Sequence, residues 1–72
     1  MSSIVDARGL SCPQPVILTM NEIKKVQKGE IIVLVDTDTS KENVSRAAIS
    51  QGWTIKEVVP EGIGYKITIT KD

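Results

Sequence analysis

Histidine and phenylalanine are missing from this 72-residue chain, and cysteine occurs once. The lack of histidine closes Cys-His nucleophilic chemistry and leaves the carboxylates a poor metal site. One cysteine can neither form an internal disulfide nor run a two-cysteine redox cycle; small secreted domains usually need several bridges, so the expected compartment is the cytoplasm. Trp53 and Tyr65 are the only aromatics, so the core is expected to be aliphatic. Nine basic residues cancel nine acidic ones, which predicts no general attraction for nucleic acid or an anionic membrane. The opening "MSSIVDARG" has no apolar signal core, and no run is long enough to cross a bilayer.

What is present fits one domain over residues 1–72. A domain of this size buries only about 60 % of its unfolded surface, which leaves no room for a deep enclosed active site. Chemistry is expected at the surface. Residues 4–8 read as a first strand, ended by Gly9. From Pro13 to Gln27 the spacing predicts a helix: with Val16 at zero on a wheel of about 100° per residue, Thr19, Met20, Ile23 and Val26 share a face. Leu18 falls on the opposite side. Gly29 is expected to end this helix, and Lys24, Lys25 and Lys28 suit its carboxyl end.

Residues 30–36, "EIIVLVD", form a continuous aliphatic run expected in the middle of the sheet. Thr39-Ser40-Lys41-Glu42 matches a capping box for a helix over 40–51 that points Val44, Ala47 and Ala48 inward and Ile49 outward, with Gly52 as terminator. Two period-two runs, "WTIKEVV" and "YKITITK", flank a connection over residues 60–64, predicting a hairpin and a sheet with one face open to water. The fold class is α+β. The order β-α-β-α-β-β gives a two-layer sandwich with two helices on one face of a four-stranded mixed sheet.

The chemistry concentrates in "GLSCPQP", residues 9–15. If the helix begins at Pro13, Cys12 is its N-cap, and Pro13 fixes a helical φ where a missing N–H costs nothing. Pro15 also loses no helical bond, but it removes a donor, leaving the Gln14 N–H as the obvious one near the sulfur. The positive end of a helix favours thiolate, and cysteines so placed have pKa values on the order of 3.5–7.5 against roughly 8.5 when free. Donor removal argues for a modest depression, which suits a thiol that must both attack and leave. A solitary, exposed, mildly activated thiol can receive a group, hold it and pass it on. The bland alternative is a buried cysteine that only fills space.

"DARGLSCPQPVI" resembles the Cys-Pro-x-Pro signature of the TusA/SirA-like sulfur carrier family, and "VDTDTSKENVSRAAISQGW" is similar to its second strand and helix. The resemblance spans the chain and is nearest to the amino-terminal domain of YedF-like proteins, linked to selenium metabolism and commonly followed by a DsrE-like domain. The chain is thus expected to be either an excised domain or a stand-alone member. The resemblance implies a persulfide carried on Cys12 with no other cofactor and no metal. A desulfurase or sulfurtransferase would be the protein donor. An acceptor protein, DsrE-like in one version, would take the sulfur onward, toward transfer RNA thiolation or related sulfur or selenium metabolism. Such a chain is a relay before it is an enzyme. Carried onto this sequence, Pro13, Gln14 and Pro15 shape the cap, with Arg8, Gly9 and Asp36 or Asp38 near the same rim. Leu18 and Ile49, read as exposed, are the expected docking surface. The rival reading is a regulatory or docking domain for a redox or DsrE-like partner, whose cysteine only anchors the contact.

Overall fold

The computed structural model describes residues 2–10 and 14–72. Its elements are β1 (Ser2–Asp6), α1 (Gln14–Val26), β2 (Gly29–Val35), α2 (Asp38–Ser50), β3 (Thr54–Glu61) and β4 (Gly64–Lys71). The aliphatic run of β2 lies inside the sheet, whose order is β1-β2-β4-β3. β1 pairs parallel to β2, and β4 pairs antiparallel to both β2 and β3. This is the α+β sandwich that the alternation of strand and helix patterns predicts.

Period two decides which side chains meet the helices. Ile31, Val33 and Val35 of β2 stand opposite Ile69, Ile67 and Tyr65 of β4, and all but Tyr65 are fully buried. With Val5, Ala7, Ile23, Val44, Ala48 and Trp53 they form one core. Each fully buried Val or Ile contributes about 1.5–3 kcal/mol, so the sheet's helix-facing rows carry much of the stability. The opposite face is open but not uniformly polar. Ile4 is 67% exposed there, Ile32 and Leu34 are half-buried, and Thr68 is buried between its strand neighbours.

Element boundaries differ from the sequence expectation in instructive ways. β1 starts and ends two residues early, at Ser2 and Asp6. The helix α1 stops at Val26 because Gln27 takes a positive φ of 68° and donates its N–H to the Ile23 carbonyl, leaving Gly29 to open β2. Its buried residues are Pro15, Thr19 and Ile23, so the inward face is turned toward Pro15. On that wheel Leu18 lies only about 100° from Thr19 and packs half-buried on the core, whereas Ile17 is about 160° away. Leu18 is therefore not an outward residue. Ile17, 44% exposed, takes that place.

Thr37, not Thr39, caps α2: its backbone is extended and its hydroxyl accepts the Ser40 N–H at 3.1 Å. Glu42 is then free to pair with Arg46 one turn on, at 2.5 Å. The shift also brings Ser40 into the core beside Val44 and Ala48 and leaves Ala47 half-buried. At the other end, the Gly52 and Trp53 N–H groups donate to the Ile49 and Ala48 carbonyls, the reciprocal pattern that closes a helix at glycine.

The β3–β4 connection is a two-residue turn, Gly62-Ile63, because pairing continues through Pro60↔Tyr65 to Glu61↔Gly64. Gly62 has φ 62°, the left-handed first position that a tight hairpin of this kind needs. β3 is an edge strand, interrupted by a register shift between Ile55 and Glu57. Gly64 is required for a different reason: a Cβ there would lie 2.1 Å from the Val35 carbonyl oxygen and 2.7 Å from the Asp36 Cα. Gly64→Ala should therefore cost about 2–3 kcal/mol or more through backbone displacement. Gly62→Ala, which meets nothing within 4 Å, should cost about 1–2 kcal/mol for its left-handed φ alone. Urea unfolding of the two variants checks the order, and equal losses would contradict it.

Candidate functional site

Parallel pairing places the carboxyl ends of β1 and β2 side by side, and the first turn grows from that corner. The Ala7 N–H continues the ladder by donating to the Leu34 carbonyl at 2.8 Å, with Ala7 fully buried. Arg8 then folds back on Asp6. Its Nε and Nη2 donate to the two carboxylate oxygens at 2.9 Å each, and its backbone N–H adds a bond of 3.2 Å. Gly9 follows with φ 78°, and its N–H donates to Asp36 Oδ2 at 2.7 Å across 27 residues of chain.

Three successive residues after β2 each use a side-chain oxygen at this rim. Asp36 holds Gly9, Thr37 caps α2, and Asp38 accepts a hydrogen bond from the Tyr65 hydroxyl at the start of β4. Lys41, one turn into α2, places its Nζ 4.5 Å from the centre of the Tyr65 ring, a cation–π contact. The structure thus brings Arg8, Gly9, Asp36 and Asp38 to one edge of the sandwich. Cys12 and Pro13, and with them the reading of Cys12 as a helix N-cap, lie outside the described residues. Gln14 is exposed as the first described residue of α1. Pro15 is fully buried, and its carbonyl accepts the Thr19 hydroxyl at 2.8 Å, so this proline is also part of the core.

Ile49 is exposed, as expected, at 60%. It sits near the far end of α2, about 16 Å along the helix from Asp38 at 1.5 Å per residue, so it does not share the rim. The exposed large apolar residues nearest in sequence to the cysteine segment are Leu10 and Ile17. Tyr65, Lys41 and Ile17 were not singled out by sequence reasoning. Tyr65 carries one usable signal, as the chain's sole tyrosine opening an amphipathic strand, but nothing local connects it with Asp38.

Electrostatics follow these contacts. The Arg8 side-chain hydrogen bonds, helped by its backbone N–H, hold Asp6 down at about 2. Arg8 is raised in turn, chiefly by hydrogen bonding to Asp6 and by that residue's charge, with smaller contributions from Glu61 and Asp36. Glu61, at the hairpin end of β3, is therefore close enough for its charge to act on this corner. Hydrogen bonding to Asp38, then its negative charge, raises the Tyr65 phenol. Among the described residues, no three His, Cys, Asp or Glu side chains converge to hold a metal.

The signs of these shifts give two expectations. A lowered Asp6 favours the folded state above its unfolded value near 4, and this contribution is lost as pH falls through about 2. Asp6→Asn should flatten that acid limb. A raised Tyr65 favours the folded state below about 10, and the contribution is lost as pH climbs through the raised value. Asp38→Asn should bring the midpoint of tyrosinate absorbance back toward about 10. With one tyrosine in the chain the signal has a single source, and an unmoved midpoint would refute the Asp38 contact.

Known proteins share this architecture. A family model described as sulfurtransferase TusA matches residues 3–71. The sulfur carrier protein TusA of Pseudomonas paraeruginosa is 28% identical over 72 residues, covering 99% of this chain and 91% of that protein. YedF of Escherichia coli is 29% identical over 68 residues, covering 93% and 88%. The crystal structure of a SirA-like protein from Desulfitobacterium hafniense superposes with a TM-score of 0.86 at 30% identity, covering 97% of this chain and 96% of that one. The matched segment runs from inside β1 to the end of β4, and a solved fold agrees over the same span: the chain belongs to the TusA sulfurtransferase family.

Proposed function

We propose that this protein is a cytoplasmic sulfur relay in which Cys12 accepts a persulfide sulfur from a donor protein and passes it to an acceptor protein. The observation that carries the reading is that a chain matching the family over residues 3–71 has a single thiol, and that thiol stands in the sequence Cys12-Pro13-Gln14-Pro15, whose last two residues open α1.

The chemistry balances without an oxidant. The Cys12 thiolate attacks the outer sulfur of a donor persulfide, one S–S bond forms as another breaks, and the donor cysteine leaves as a thiolate. Delivery repeats the exchange with the acceptor's thiolate as nucleophile and Cys12 as leaving group. With no second cysteine in the chain, the persulfide has no internal thiol to resolve it. The same soft thiolate would take selenium in place of sulfur, which makes selenium handling a variant of this relay. Onward delivery toward transfer RNA thiolation would pass through the acceptor.

Incubation with a cysteine desulfurase and free cysteine should add one sulfur to the protein by intact mass, reversed by reductant. Cys12→Ser should fold with the wild-type circular dichroism and gain nothing. Persistent loading of the serine variant would remove Cys12 from the mechanism.

A further inference from the structure

The turn that leads into Cys12 is held from two sides, and the two holds differ. Asp6 grips Arg8, but Asp6 is in β1 and belongs to the same segment as the turn. Asp36 belongs to the β2–α2 connection, is half-buried, and receives the Gly9 N–H at 2.7 Å. Its bond therefore fixes the turn relative to the rest of the molecule. A short bond to an ionised acceptor is stronger than one between neutral groups. Its neighbour Thr37 is committed to capping α2, so the carboxylate is carried on backbone that the helix start already anchors.

Gly9 makes the hold useful. At φ 78° Gly9 takes a left-handed backbone conformation that residues with a side chain rarely adopt, within the turn that follows β1. Only Leu10 and Ser11 separate it from the thiol. From this geometry, and resting on the relay reading above, we infer that Asp36 is a positioning residue for sulfur transfer: through Gly9 it orients the segment that presents Cys12 to a protein partner. Transfer between two proteins demands alignment of three sulfurs in line, and a displacement of about 1 Å in such a reaction can cost up to a hundredfold. A small reagent that diffuses freely to the thiol makes no such demand.

The test compares the wild-type chain with Asp36→Ala and Asp36→Asn, the latter keeping an acceptor oxygen for Gly9. Loading by a cysteine desulfurase is followed by intact mass, and Cys12 alkylation by iodoacetamide is followed in parallel. Asp36→Ala should load about tenfold more slowly, Asp36→Asn should recover most of that rate, and alkylation should change by less than about twofold in both. Equal loading of wild type and Asp36→Ala overturns the inference and leaves the relay reading intact. Equal loss in both variants also overturns it, because charge and not the hydrogen bond would then be responsible. A wild type that takes no sulfur defeats the relay reading and this inference together. If Asp36→Ala does not fold, hydrogen exchange of the wild-type Gly9 amide decides: strong protection is expected, and exchange at the rate of an open chain overturns the clamp.

Discussion

The parallel pairing of β1 with β2 is the constraint on which the rest depends. Two parallel neighbours cannot be joined by a tight turn, so the chain must cross the sheet, and α1 is that crossing. Both strands then finish at the same edge. The turn after β1 and the connection after β2 meet there although 27 residues separate Gly9 from Asp36. The antiparallel β4 begins at that edge too, which is why Tyr65 can reach Asp38. A rim drawn from three separate stretches of chain is thus a by-product of sheet order.

The aliphatic composition has its own structural result. Without phenylalanine, the space between the layers is filled by Ile and Val from the sheet and by small residues from α2, where Ser40, Val44 and Ala48 recur at four-residue intervals. That spacing lets the helix lie close to the strands. Trp53, placed just after α2, closes the end of the core, buried to 3% exposure with its Nε1 lacking a partner among the described residues. The cost of that buried donor is offset by the large apolar area the ring covers.

Much of this was legible in the sequence, and the failures have physical causes. Element order and the inward residues of β2 and β4 follow from period-two patterning, which one buried face enforces strictly. Helix starts were less secure: Thr37 and Thr39 are both competent caps, and the choice went to the one whose flanking aspartates find Gly9 and Tyr65. The wheel places the inward face of α1 off its true position because Pro15 reads as a cap residue, whereas it is buried with Thr19 and Ile23 and turns the face. The hairpin looked longer because proline is read as punctuation, yet on an edge strand Pro60 can pair without breaking the sheet. Of the rim, the motif pointed to the turn and its neighbourhood. The bonds that fix it span 27 residues and leave no local trace.

Pro60 and the register shift beside Lys56 also determine what the outer border of β3 can do. A further strand laid against that border would find a residue with no N–H and a kink where the hydrogen-bonding groups fall out of step, with Lys56, Glu57 and Glu61 exposed along it. The sheet therefore ends at β3 by construction. An edge that cannot template another strand does not hold a visitor by its backbone, so whatever meets this border must be held by side chains.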